Sequence, residues 1–270
     1  MILAPAEESL HRVGPSRPVC IWSGVVVVVG VDSDQREVLE DDAKLILPIY
    51  IAVDHSWSMG PDQNDAIDAA NSLIPTIIKT CKKHPIADER ARFCIIGFND
   101  TAKVVSPMAR GSNLGEHTFE ASRGTSYSAV FKLLKSQIES DYAAFRADDF
   151  KTHRPAIFLI TDGEPLDDPS SAFAALTDES NLWRPNLSVF GIGPDVTQEL
   201  ADKYKSGTQG RGFVTKNETD AATELEGIVT LLMSSVIAST AAVPGQDDPD
   251  DGGWVWDDDD IEDADFLLET

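Results

Sequence analysis

LILPIYIAVDHSWSMGP, residues 45–61, is the stretch that decides the fold. Its first nine residues, Leu45–Val53, are apolar without alternation, the pattern of a strand buried on both faces. The run ends in Asp54, and the turn-forming residues His55, Ser56, Trp57 and Ser58 follow. Further on, Ile67, Ala70, Ile74, Ile77 and Cys81 recur at steps of three and four, which places them on one face of a helix. Pro75 removes a backbone donor inside that helix and crowds the carbonyl of Asn71, so a kink is expected there.

The same strand-then-helix rhythm continues along the chain. Arg92–Phe98 (RFCIIGF) reads as a buried strand, Asn99-Asp100 as a turn and Ala102–Pro107 as the strand beside it. A helix is predicted over Ser126–Ala147, with Val130, Leu133, Leu134 and Ile138 inward. Ala156–Thr161 (AIFLIT) is another buried strand, running into Asp162-Gly163. Leu187–Ile192 and Gly212–Thr215 are two more, with helices at about 170–182, 197–205 and 221–239. Strands joined by helical crossovers make a doubly wound α/β domain, with helices on both faces of a mainly parallel sheet. Six strands are expected, Ala102–Pro107 being the one antiparallel edge. The domain is predicted to span 45–242, between an N-terminal extension (1–44), partly disordered, and an acidic disordered tail (243–270).

The tail expectation rests on composition. Formal net charge is −24, and residues 243–270 carry twelve acidic residues with no Lys or Arg. Such a surface repels phosphate backbones and anionic lipid, so neither nucleic acid nor membrane is an expected partner. The apolar run Val19–Val31 is too short to span a bilayer. It also lacks the flanks of a secretory signal: Glu7 and Glu8 precede it, and no small-x-small site follows before Asp32. It reads as an extra strand or as translation from an upstream start codon. Cys20, Cys81 and Cys94 are odd in number and widely spaced, which suits a reducing, cytoplasmic compartment and no disulfide framework.

Three polar loops fall at strand ends or the helix starts that follow: Asp54-His55-Ser56-Trp57-Ser58, Gly124-Thr125-Ser126 and Thr161-Asp162-Gly163-Glu164. In an open α/β sheet such loops converge on the crevice at the switch of strand order. Taken singly, each is no more than a helix cap or a turn. Together they offer carboxylates and hydroxyls, hard oxygen donors that suit Mg²⁺ or Mn²⁺ better than zinc. His55 follows Asp54, but alternation along a strand end turns it away from Asp54 and Ser56, and it reads as a non-catalytic loop residue.

This constellation resembles the von Willebrand factor A family and its metal-ion-dependent adhesion site, over about residues 45–242. The resemblance implies Ser56, Ser58 and Thr125 as direct metal ligands, with Asp54 and Asp162 acting largely through water, and a partner's Glu or Asp filling the open position. YIAVDHSWSMGP, IIGFNDTAKVVSPM, GTSYSAVF and FLITDGEP are most similar to the bacterial tellurium-resistance-type branch. That second resemblance implies an intracellular scaffold associated with a protein phosphatase and a kinase. Where the family has Gly between the serines, this chain has Trp57, which either shields the metal or packs sideways on a neighbouring loop. The expected function is a metal-dependent protein-interaction module, not an enzyme. The alternatives are a metal-dependent phosphohydrolase, which needs further carboxylate or His ligands, and a structural subunit with a vestigial site.

Overall fold

The computed structural model describes residues 19–22, 25–28, 45–61, 66–215, 220–241, 254–256, 261 and 267–268. Two units divide the chain, residues 1–43 and 44–270. In the first, β1 (Val19–Trp22) pairs antiparallel with β2 (Val25–Val28), Val19 opposite Val28 and Trp22 opposite Val25. The apolar run of the extension therefore contains two short strands. The partial disorder expected of residues 1–44 otherwise lies outside the described residues.

The second unit runs in the order β3 (Leu45–Asp54), α1 (Ile67–Lys83), α2 (Pro85–Arg90), β4 (Ala91–Phe98) and β5 (Ala102–Ala109). It continues with α3 (Tyr127–Ala147), β6 (Lys151–Thr152), β7 (Ala156–Thr161), α4 (Ser170–Leu176), β8 (Asn186–Gly191) and α5 (Gln198–Lys203). The last elements are β9 (Gly212–Thr215), α6 (Ala221–Ala241) and β10 (Leu267–Leu268). The sheet order is β10-β9-β8-β7-β3-β4-β5, with β6 pairing the start of β3. β3 is parallel to β4 on one side and to β7 on the other. β7, β8 and β9 are parallel in turn, and β5 is antiparallel to β4 at the edge. All six expected strands form. The two additional ones, β6 and β10, are two residues long, too short for any hydrophobic period to mark them.

Alternation along β3 divides the core. Ile49, Ile51 and Val53 point to the face covered by α1 and α6, while Tyr50 and Ala52 point to the face covered by α3, α4 and α5. Both faces are buried, so the strand has no polar position before Asp54. α1 continues through Pro75, which lies on its exposed side, where the lost backbone bond faces water. α6 is apolar enough, and at 21 residues long enough, to cross a membrane. Here it is a core helix, with Leu225, Ile228, Leu232 and Val236 in the cluster shared with α1. Cys81 and Cys94 are free thiols in the interior, and burial pushes both up, Cys81 to about 12.

The disordered-tail expectation fails at the described tail residues. Trp254 and Trp256 are 1% and 4% exposed, and Ile261 is also buried. Leu267 and Leu268 pair antiparallel with Thr215 and Val214 of β9, which adds a second antiparallel edge. Composition averaged over 28 residues conceals three apolar anchors among twelve acidic residues.

Candidate metal centre

The chain leaves β3 outward to β4 and β5, then returns to build β7, β8 and β9 on the other side. Strand order therefore reverses between β3 and β7, and the crevice opens at their carboxyl ends. Asp54 is the last residue of β3, and Asp162 directly follows β7. Each extended strand delivers its terminal carboxylate to the same place.

One hydrogen-bonded chain links these groups. Asp54 Oδ1 accepts the backbone N–H of Ser56 at 2.8 Å, and its Oδ2 accepts the Thr161 hydroxyl at 2.8 Å. The hydroxyl oxygens of Ser56 and Ser58 lie 3.0 Å apart, and Ser58 donates to Asp162 Oδ1 at 2.9 Å. Asp54 is fully buried and Asp162 is 3% exposed. Burial first, and the neighbouring Asp162 charge second, push the Asp54 carboxyl up to about 7, against the hydrogen bonds from Ser56 and Thr161. The site is thus short of positive charge.

Backbone bonds bring in the second loop. Trp57 donates its N–H to the Arg123 carbonyl at 3.1 Å, and Ser122 donates to the His55 carbonyl at 3.0 Å. The Thr125 carbonyl accepts the Leu166 N–H at 2.9 Å, which ties the same loop to the segment after β7. Thr125 is 6% exposed, and its side chain takes no part in the Asp54–Asp162 hydrogen-bond chain. Arg123 has φ 67°, a left-handed conformation uncommon for a residue with a Cβ. Gly124 follows it, and a Cβ there would stand 2.7 Å from Leu166 Cδ1.

Three contributors carry no assigned role in the sequence reading, although Thr161 stands in its third loop. Thr161 binds Asp54 directly. The Tyr127 hydroxyl, 3.2 Å from Thr161 Oγ1, donates to the Gly163 carbonyl at 2.8 Å. Asp167 accepts from the Ser126 hydroxyl at 2.6 Å and from the backbone N–H groups of Tyr127 and Ser128 at 3.2 Å each. It thereby satisfies the start of α3 from another segment and fixes the loop that carries Thr125. Partial burial would raise its carboxyl, but these bonds hold it below the usual carboxylate range. Thr161 stood next to a recognised Asp, whereas the cap supplied by Asp167 crosses 40 residues and leaves no local signal.

Two other expectations concern neighbours of the site. Trp57 is 57% exposed, so it is not packed down on a neighbouring loop; its indole stands at the rim. The His55 ring lies 3.1 Å from the Glu120 carbonyl and against Phe119, and burial lowers its pKa. Gly97 leaves room for it, since a Cβ there would stand 3.3 Å from His55 Cδ2.

Among the described residues no group of three or more His, Cys, Asp or Glu side chains could hold a metal. The donor set in the crevice is instead hydroxyl-rich, with both Asp54 oxygens already accepting from neutral donors. That set fits a hard divalent cation held by serine and threonine oxygens, with Asp54 compensating charge from behind.

The family model for the von Willebrand factor type A domain matches residues 49–229. The chain belongs to that family. No curated protein matches the sequence. Among solved structures, this von Willebrand factor type A domain is similar to "von Willebrand factor type A from Catenulispora acidiphila", with TM-score 0.52 and 16% identity over 71% of this chain and 43% of that one. It is similar to proximal thread matrix protein 1 from the mussel byssus "with zinc occupied MIDAS motif", with TM-score 0.52 and 13% identity over 72% and 48% of the two chains. It is also similar to the pilus adhesin SpaC from Lactobacillus rhamnosus GG, with TM-score 0.52 and 12% identity over 71% and 30%. The chain thus spans less than half the length of these three proteins, and the likeness is one of fold.

Proposed function

We propose that this von Willebrand factor type A domain is a metal-dependent protein-interaction module. Ser56, Ser58 and Thr125 would hold Mg²⁺ or Mn²⁺, with Asp54 and Asp162 supporting them. The observation that carries the reading is the hydrogen-bonded chain Thr161–Asp54–Ser56–Ser58–Asp162, in which two buried carboxylates from adjacent strand ends share two serines. Buried like charges are costly unless compensated, and a divalent cation compensates them.

When bound, the cation supplies an electrophilic position that a partner's Glu or Asp side chain fills. The chain's own groups do the rest. Asp54 fixes the Ser56 backbone, Ser58 is oriented by Asp162, and Asp167 holds the Thr125 loop in place. Trp57 at the rim adds apolar area beside the incoming carboxylate, the kind of aromatic contact that anchors interfaces.

The protein is not an enzyme in this reading, and the alignment of His55 with a backbone carbonyl supports that. The tellurium-resistance-type resemblance of the four motif segments supports a cytoplasmic scaffold in a stress-response or signalling system, with a protein phosphatase and a kinase as partners. Capture of those partners from lysate by the tagged chain, with Mg²⁺ and with EDTA, tests the reading. Capture should be lost in EDTA, return on adding Mg²⁺, and be absent for Asp162→Ala. Partner capture indifferent to EDTA and to the substitution would leave only a vestigial site.

A further inference from the structure

Helices α1 and α6 cover one face of the sheet, but they do not complete the cover over β7, β8 and β9. The opposite face has three helices, α3, α4 and α5. On the first face the remaining area is filled by an extended segment near the C-terminus. Trp254 packs on Phe158 with ring centroids 4.8 Å apart, and Trp256 packs on Phe213 at 5.2 Å and Phe158 at 5.9 Å. The stacked pair Phe190–Phe213 forms the floor beneath Trp256.

Polar contacts fix the register of this segment. Val255 N donates to Ser239 Oγ at 2.9 Å, and Ser239 Oγ donates to the Val255 carbonyl at 3.1 Å. The Trp256 indole donates to the Gln209 carbonyl at 2.8 Å, and the Arg211 guanidinium lies over its ring at 5.5 Å. Val255, between the two buried indoles, is 38% exposed, the alternation of an extended strand. Ile261 is a third anchor, and Leu267–Leu268 extend the sheet along the free edge of β9. The edge pairing of Leu267–Leu268 and the seating of two indoles among aromatic side chains are contacts of the kind a separate peptide makes when it adds to a sheet.

Two features set this segment apart from the rest of the core. The Trp254 indole N–H has no acceptor among the described residues. Docking therefore leaves a buried polar group of the segment unpaired, which weakens it relative to a fully satisfied interior. In addition, twelve residues, 242–253, join Ala241 to Trp254. Fully extended they reach roughly 40 Å, more than the covered strands are wide.

We propose that the aromatic groove formed by Phe158, Phe190, Phe213 and the β9 edge is a peptide-binding site, and that its occupant in trans is the C-terminal segment of a second copy of this chain. In the structure the groove is filled in cis. Tethering holds the cis segment at an effective concentration of the order of mM, so exchange between copies requires high local concentration or displacement of the cis segment. An empty groove would expose three phenylalanines in one patch, a surface that recruits an occupant. This site is separate from the metal centre in residues and in chemistry. EDTA should not affect it.

Fluorescence anisotropy with a labelled peptide of residues 250–270 tests the proposal. The receptor is the full-length chain, either wild type or carrying W254A and W256A. The double variant should bind the peptide saturably, and wild type should bind at least ~10-fold more weakly because its own segment competes. A peptide with both tryptophans replaced by alanine should bind neither. Equal binding to both receptors, or no binding to a double variant whose circular dichroism shows it folded, overturns the proposal.

If the double variant does not fold, a protease site placed between residues 245 and 250 of the wild-type chain takes its place. After cutting, excess labelled peptide should replace the severed segment on gel filtration. Retention of the severed segment without exchange, or aggregation of the cut protein despite added peptide, would make the segment an integral piece of the core and overturn the proposal.

Discussion

Replacing Asp54 by asparagine should stabilise the metal-free protein at neutral pH while abolishing its metal dependence. The Asp54 carboxyl is raised from 3.8 to about 7, by burial and then by Asp162. A carboxyl raised on folding opposes the folded state once the unfolded chain would ionise. The penalty is absent below pH 3.8, grows as pH rises, and levels off above the folded value near 7. At about 1.4 kcal/mol per unit, it amounts to roughly 2 kcal/mol at pH 5 and about 4 kcal/mol at pH 8. The hydrogen bonds tolerate the change. The Oδ1 of the introduced amide can still accept the Ser56 N–H, and Thr161, facing an amide N–H₂ in place of Oδ2, can turn its proton to the Gly163 carbonyl 3.2 Å away. Urea denaturation of both proteins in EDTA from pH 4 to 8 reads the difference directly and cancels the other carboxylates. The Asp54→Asn protein should gain on wild type steadily across that window, and saturating Mg²⁺ should stabilise wild type alone. A stability difference that does not change with pH, or one that favours wild type in EDTA at pH 8, would refute the electrostatic reasoning.

Further outcomes follow from the same contacts. Thr125→Ala and Ser58→Ala should each weaken Mg²⁺ binding by at least ~10-fold in calorimetry, as loss of a direct oxygen ligand, with thermal melts in EDTA little changed. Asp167→Ala should cost about 1–2 kcal/mol at pH 7 by leaving the start of α3 uncapped. Because the Asp167 carboxyl is depressed in the fold, that loss should fade as pH falls below 3.8, which a denaturation series in acid would show. Gly207→Ala should destabilise by about 2–4 kcal/mol in the same assay. Its φ is 83°, and a Cβ there would stand 2.2 Å from Asn186 Oδ1 and 2.9 Å from the Pro185 carbonyl.

Much of the fold was legible in the sequence because it is written in local periods. Ala156–Thr161 and Gly212–Thr215 were predicted with the bounds the structure has, and Leu45–Val53 and Arg92–Phe98 each gained one residue. These are strands with both faces buried, so their interior positions are apolar and polar residues gather at or next to their ends. Helices were less sharply bounded. The one predicted over 170–182 ends at Leu176, since nothing apolar after it completes a buried face. α2 was missed altogether, six residues with Ala87 alone buried.

What the sequence by itself determined is the alternation of buried strands with helices, and the polar residues at three strand ends or helix starts. Hydrophobic burial acts through spacing along the chain, and spacing is visible in one dimension. The tertiary structure alone decided what meets across that spacing. It set Asp54 against the Thr161 hydroxyl, 107 residues away, and so brought two carboxylates around a shared pair of serines. It gave Asp167 the start of a helix 40 residues earlier, and it seated Trp254 and Trp256 on the sheet face that the helices leave bare. Those contacts depend on strand order, and strand order follows from which faces can be covered together, a property of the whole chain that no window of its residues contains.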